Sequence, residues 1–93
     1  MVAQTPFSTE SMILARVIAP ELPTISPAVA SELLKWSFTE SDQQRMAELA
    51  AKARASTLTD DERVEIEGYE RVTSFLGLVK SKARRSLKSA AAE

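Results

Sequence analysis

The stretch from Thr59 to the end of the sequence contains no proline, and this constrains the fold more than any other feature. Proline inside a helix removes a backbone hydrogen bond and clashes with the preceding turn, so a run without it can remain helical throughout. Thr59 and Glu62 form the pattern of a capping box, in which each residue satisfies a backbone amide of the other. The stretch therefore predicts one C-terminal helix over about residues 60–87, roughly 40 Å long.

Three shorter helices are predicted before it, over about residues 11–19, 27–36 and 40–55. The first is indicated by apolar residues at helical spacing. Ser26 and Pro27 are typical of a helix cap and the first helical position. Thr39 offers a hydroxyl cap to the third helix.

These elements predict an all-α fold, a small helical bundle built around a hairpin of the third and fourth helices. We expect the second and third helices to pack on the first half of the fourth, and the N-terminal helix to close one side. The 93 residues suit a single domain, expected at residues 11–88 between a flexible N-terminus (1–10) and a frayed tail (89–93). A chain this short builds a thin core, so support from a partner or a second copy is expected.

The sequence contains neither histidine nor cysteine, which removes the commonest general base, the thiol nucleophile and the usual ligands of transition metals. It contains no glycine-rich phosphate loop and no known catalytic motif. Glu62 and Glu65 stand one helical turn apart, but a working carboxylate pair needs a desolvated cleft, which so small a bundle hardly offers. We therefore expect no enzyme, no catalytic residue, no cofactor, no metal site and no small-molecule substrate.

The location is expected to be the cytoplasm. No stretch approaches the roughly 20 apolar residues that a membrane-spanning helix needs. Glu10 and Arg16 interrupt the N-terminal residues where a secretory signal has a cationic start and an unbroken apolar core. We expect no contact with a membrane.

An apolar stripe runs along the predicted C-terminal helix. With Val72 at its centre, the residues within about 60° on a helical wheel include Phe75, Leu76 and Val79. Packing on the second and third helices explains this stripe. Ile66 and Leu78 lie about 120° to either side, so the helix is apolar on more than one side. Two alternatives stay open for that extra surface: a second protein covers it, or the N-terminal segment does.

Charge is graded along the same helix, with six acidic residues between positions 60 and 70 and five basic residues between positions 80 and 88. The helix dipole favours acids near the start and bases near the end. Five bases at one end nevertheless exceed what the dipole requires. They could meet an acidic patch on a protein partner or neutralise nucleic-acid phosphates, although no aromatic side chain is interleaved for base stacking.

Trp36 and Phe38 flank the turn between the second and third predicted helices. Aromatic residues at such a corner usually fill the core, and we favour that interpretation here. A contact with a partner is the alternative, because tryptophan is enriched at the energetic centres of interfaces.

Three motifs follow one another in the C-terminal part of the sequence: R-M-x-E-L-A-x-K-A-R at residues 45–54, L-T-x-x-E at 58–62 and S-K-A-R-x-S-L-K at 81–88. This pattern resembles a family of short uncharacterised all-helical bacterial proteins, and about 80 residues of the chain take part in the resemblance. It implies a helical fold, a gene beside that of an HNH-type endonuclease, and an antitoxin-like or accessory role. Ser56 stands where the family's turn usually has glycine, so we expect a left-handed backbone there at a higher cost than for glycine.

The sequence thus predicts a non-enzymatic protein-binding module, either a homodimer through the C-terminal helix or the partner of a co-encoded nuclease or toxin. Its partner-binding residues are expected to be the apolar Val72, Phe75, Leu76, Leu78 and Val79, with a charged rim of Arg84, Arg85 and Lys88. The alternative is a nucleic-acid-binding accessory protein that uses the basic end of this helix.

Overall fold

A computed structural model of the protein describes residues 6–92. It contains four α-helices: α1 (Pro6–Ile18), α2 (Pro27–Leu33), α3 (Glu40–Arg54) and α4 (Asp60–Ala92). No strand occurs in the described part of the chain, and the all-α prediction is confirmed. α4 contains 33 residues and continues through Gly77 without a break, so the long C-terminal helix is confirmed as well.

α4 is the central helix of the bundle, because α1, α2 and α3 each pack on it. α3 runs antiparallel to its first half (residues 60–76), and the Tyr69 hydroxyl donates to Asp42 Oδ1 at 2.8 Å. α2 instead follows a connector held to the second half (residues 77–92), where the Ile25 amide donates to Ser86 Oγ at 3.2 Å. The expectation that α2 packs on the first half is therefore wrong. The connector turns directly after α1, where the Leu22 amide donates to the Ala19 carbonyl at 3.0 Å, and its end lies close to Ser86 of α4.

The helix starts follow local capping. Side-chain oxygens of Ser26 and Thr39 accept hydrogen bonds from the first turns of α2 and α3. At the start of α4, the Thr59 amide donates to Glu62 Oε1 at 3.0 Å and the Glu62 amide donates to Thr59 Oγ1 at 3.1 Å. The predicted capping box is confirmed.

The turn between α3 and α4 contains a left-handed residue. Ser56 has a φ of 60°. Its amide donates to the Ala53 carbonyl at 3.1 Å, and the Thr57 amide donates to the Lys52 carbonyl at 2.9 Å. These two bonds form a Schellman motif, the helix ending that glycine suits best. The left-handed conformation expected for Ser56 is therefore confirmed.

Both ends of the chain are more helical than predicted. α1 begins at Pro6, since proline suits a first turn whose amides need no helical partner. α4 continues to Ala92, because the serine and alanines that follow Lys88 do not break a helix. The structure thus has residues 6–10 of the predicted flexible N-terminus (1–10) and residues 89–92 of the predicted frayed tail (89–93) in helices; residues 1–5 and 93 lie outside the described residues.

The core is thin. The Cα atoms extend over 52 × 37 × 16 Å, and the shortest of these is not much larger than one helix diameter of about 10–12 Å. Within residues 9–91, the buried apolar side chains are Ala30, Leu49, Val79 and Ala83. α1 leaves Met12 and Val17 exposed at 60% and 76%. A flat arrangement of helices on α4 thus leaves faces that the subunit does not cover.

Candidate partner-binding surface

Charged side chains join α3 to the first half of α4. Arg45 Nε and Nη2 donate to the two carboxylate oxygens of Glu65 at 2.8 and 2.9 Å, and Lys52 Nζ donates to Glu62 at 2.6 Å. Hydrogen bonds from Lys52 and the Thr59 amide lower the pKa of Glu62 to about 2, and those from Arg45 lower the pKa of Glu65. Neither carboxyl has the raised pKa of a general acid, and both are engaged in holding the hairpin.

A second set of contacts fixes the segment between α2 and α3. The Thr39 hydroxyl donates to Asp42 Oδ2 at 2.9 Å and the Tyr69 hydroxyl donates to Asp42 Oδ1. The hydrogen bond to Asp42 raises the pKa of Tyr69, so the hydroxyl remains a donor at neutral pH. The half-buried Phe38 ring meets Tyr69 edge-on, with the ring centroids 5.8 Å apart. Tyr69 thus holds Phe38 and the start of α3 against α4.

An open apolar groove lies beside this segment. α2 ends at Leu33, so Trp36, predicted to be its last residue, lies in the segment that leads to α3. Trp36 is 45% exposed, which corrects its assignment to the core. It lines a groove of about 810 Å³, called here the Trp36 groove, together with Lys35, Ser37, Phe38, Thr39 and Asp42 on one side and Glu65, Gly68, Tyr69, Val72 and Leu76 of α4 on the other.

The predicted apolar anchors do not share one surface. Val72 is 45% exposed and Leu76 is half-buried, and both line the Trp36 groove. Phe75 and Leu78 are half-buried and do not line it. Val79 is only 8% exposed. Because Val79 belongs to the core of the second half of α4, its prediction as a partner-facing anchor is corrected.

Ile66 and Leu78, which lie off the predicted stripe, are each half-buried within the single subunit. Their apolar character alone therefore does not require a partner. Ile66 lines a second groove, of about 570 Å³, between α3 and α4. This α3–α4 groove is also lined by Met46, Leu49, Ala50, Ala53, Tyr69, Glu70, Thr73 and Ser74.

The predicted charged rim is accessible. Arg84, Arg85 and Lys88 are exposed, and none of them forms an ion pair with another residue of the described chain. Lys82 differs, because its Nζ donates to the Ile18 carbonyl at 2.6 Å. One of the five clustered bases thus stabilises the end of α1, where carbonyl groups lack helical partners.

The sequence reasoning missed the α3–α4 groove and the exposure of Trp36. A signal for the groove exists in α3, whose inner positions 50 and 53 are alanines that are too short to fill the space to α4. No comparable signal marks Arg45 and Glu65 as partners, since they stand 20 residues apart. Their pairing depends on the register of the hairpin.

Comparison with known proteins assigns no family. No protein-family model, no curated protein and no solved structure matches the chain. The resemblance of residues 45–54, 58–62 and 81–88 to a bacterial helical family therefore stays a prediction. Over the described residues, no three acidic side chains come together as a metal site. No helix found there has the length and apolar character needed to cross a membrane.

Proposed function

We propose that this chain is a non-enzymatic protein-binding module that receives an apolar segment of its partner in the Trp36 groove. The observation that carries the proposal is the 45% exposure of both Trp36 and Val72, which line the same groove. Tryptophan dominates binding energy at many interfaces, since it buries a large area with few rotatable bonds.

The contacts that fix one end of the groove support the proposal. The bonds of Asp42 with Thr39 and Tyr69 hold the segment that carries Trp36. A preformed wall loses little conformational entropy when a partner binds, so more of the contact energy is available for affinity. The groove is open along α4, which suits the apolar face of a helix or an extended segment.

The partner that we propose is a co-encoded protein, for which this chain acts as an antitoxin-like or accessory subunit in the cytoplasm. To test this, the tagged chain is recovered from its native host and the protein that accompanies it is identified. That protein is then purified and titrated into the chain. Trp36 is the only tryptophan of this sequence. Its fluorescence therefore reports directly on the groove, provided that the partner contains no tryptophan or has its tryptophans replaced by a non-fluorescent analogue.

Two valines of α4 provide a matched pair of variants. Val72 lines the groove, whereas Val64, 61% exposed, lies on α4 outside it. We expect Val72→Asp to weaken binding by about 30-fold or more, the equivalent of about 2 kcal/mol, and Val64→Asp to leave binding unchanged. Equal affinity for the two variants would refute the groove as the binding site.

A second candidate function, nucleic-acid binding, is favoured by the exposure of Arg84, Arg85 and Lys88 at one end of α4. Bases without local partners can replace the counterions of phosphates, which makes such binding steeply dependent on salt. In a gel-shift titration, Arg84→Glu with Arg85→Glu would abolish the complex. The matched control is Arg54→Glu with Arg63→Glu, which reverses two exposed bases at the other end of the hairpin. Loss of binding in both would indicate only an effect of net charge.

A further inference from the structure

The α3–α4 groove has an apolar floor and an acidic rim. Met46 and Ile66 are half-buried along it, and Ala50 and Ala53 are exposed. Glu70 lines the groove, and Glu67 stands one turn earlier on α4; both are exposed, and neither forms an ion pair within the described residues. The groove therefore suits a segment that combines aliphatic surface with positive charge.

The same face of α4 offers such a segment farther along. On a helical wheel, the exposed residues of the stretch 67–88 that lie within about 40° of a common direction are Glu67, Glu70, Gly77, Arg85 and Lys88. Arg63, also exposed, lies on the same face one turn before Glu67. A Cβ atom added at Gly77 would meet nothing within 4 Å, so the subunit itself has no need of a small residue there. Between residues 67 and 88 the face thus consists of two acids, a small residue in the middle and two bases.

We propose that this face binds a second copy of the chain, with the two α4 helices antiparallel and crossing near Gly77. Position 67 then faces position 88 of the other copy, and position 70 faces position 85, because each pair is equally distant from a point between residues 77 and 78. A two-fold axis repeats both contacts. The inference extends the proposed function, since it identifies one protein that the module binds: itself.

Charge complementarity selects the second copy and its direction. In the antiparallel pair, Glu67 and Glu70 of each chain meet Lys88 and Arg85 of the other, and the aliphatic stems of these bases lie over the α3–α4 groove. A parallel pair would place acids against acids and bases against bases. The contact extends from residue 67 to residue 88, about 30 Å of helix.

The test measures self-association by sedimentation equilibrium of the complete chain. We expect a wild-type dimer whose dissociation constant rises at least about tenfold between 50 and 500 mM NaCl, because the paired charges become screened. Glu67→Lys with Glu70→Lys should make the chain monomeric, as should Arg85→Glu with Lys88→Glu. Mixing these two variants should restore a heterodimer, since each acidic site then faces a basic one.

Two controls make the test specific. Glu10→Lys with Glu21→Lys changes net charge by the same amount at exposed positions outside α4 and should leave the dimer intact. Gly77→Gln replaces a poor helix former and should raise helical stability while it blocks the crossing, so that a well-folded monomer results. Circular dichroism verifies the helical content of every variant.

The outcomes are distinct. A chain that is monomeric at about millimolar concentration, or charge-reversed variants that dimerise like the wild type, would overturn the inference. A parallel pair would also predict unchanged dimerisation when either the acids (Glu67 and Glu70) or the bases (Arg85 and Lys88) alone are reversed. If the chain stays monomeric while Val72→Asp still weakens partner binding, only the dimer is refuted. If the chain dimerises while Val72→Asp leaves partner binding unchanged, only the Trp36 groove is refuted as the partner site.

Discussion

The two halves of α4 are held to the rest of the chain in different ways. In the first half, long side chains of α3 reach across to α4, as Arg45 does to Glu65. In the second half, α2 approaches the α4 backbone more closely, and the fully buried residues there are the small Ala30 and Ala83. One half is thus joined mainly by charge-assisted hydrogen bonds, and the other mainly by close packing of small residues.

This difference explains where the free surfaces lie. Long polar bridges hold α3 away from α4 and leave the α3–α4 groove between them. Beside the second half α2 packs closely, and the outer face of α4 there exposes Arg84, Arg85 and Lys88. The first half therefore carries a groove with exposed acids, and the second half carries exposed bases. These two surfaces are complementary in charge, and because both belong to one continuous helix, the distance between them is fixed.

The largest effect is expected in the first half. Leu49 is 1% exposed and is the largest fully buried side chain among those that the structure describes. Leu49→Ala should lower the free energy of unfolding by about 3 kcal/mol, from lost burial and from the cavity that remains. Urea denaturation measures the change. A loss below about 1 kcal/mol would mean that the charged bridges, and not apolar packing, determine the stability of the hairpin.

A somewhat smaller effect is expected in the second half, for the opposite reason. Ala83 is fully buried, so Ala83→Leu introduces volume where α4 is closely packed. Overpacking of this kind costs about 1–3 kcal/mol, and here it should detach α2 from α4. Hydrogen exchange should show lost protection in α2 but not in α3. Ala90→Leu, at an exposed position of the same helix, is the control.

The same contrast decides what could be predicted from the sequence. Local signals predicted the start of α4 and its long course, because each depends on residues only a few positions apart. The left-handed Ser56 was expected from the family resemblance. The sequence could not predict that α2 packs on the second half, since this depends on the path of the connector and on a contact between Ile25 and Ser86. The exposure of Trp36 was missed for the same reason.

Acid should weaken the first half selectively. The pKa of Glu62 is about 2 in the folded chain, against an ordinary value of 4.5, so its contribution to stability is complete above pH 4.5 and is lost as the pH falls toward 2. The urea midpoint of the wild type should therefore fall between pH 5 and pH 2. The urea midpoint of Glu62→Gln should be lower than that of the wild type at pH 7 and should change less between pH 5 and pH 2. Glu21→Gln, at an exposed position of the connector, should retain the full pH dependence of the wild type.

The smallest expected effect compares the two left-handed residues, one beside each half. Ser56, with φ 60°, follows α3, and Ala19, with φ 49°, follows α1. Glycine removes the clash of the side chain in this conformation but increases the freedom of the unfolded chain, so each replacement should stabilise the protein by about 0.5–1 kcal/mol.

If the halves unfold together, Ser56→Gly and Ala19→Gly should raise the urea midpoint alike. If α1 opens from α4 by itself, Ala19→Gly should increase hydrogen-exchange protection in α1 alone, while Ser56→Gly still raises the midpoint. A midpoint that Ser56→Gly fails to raise would show that the Schellman turn is not strained.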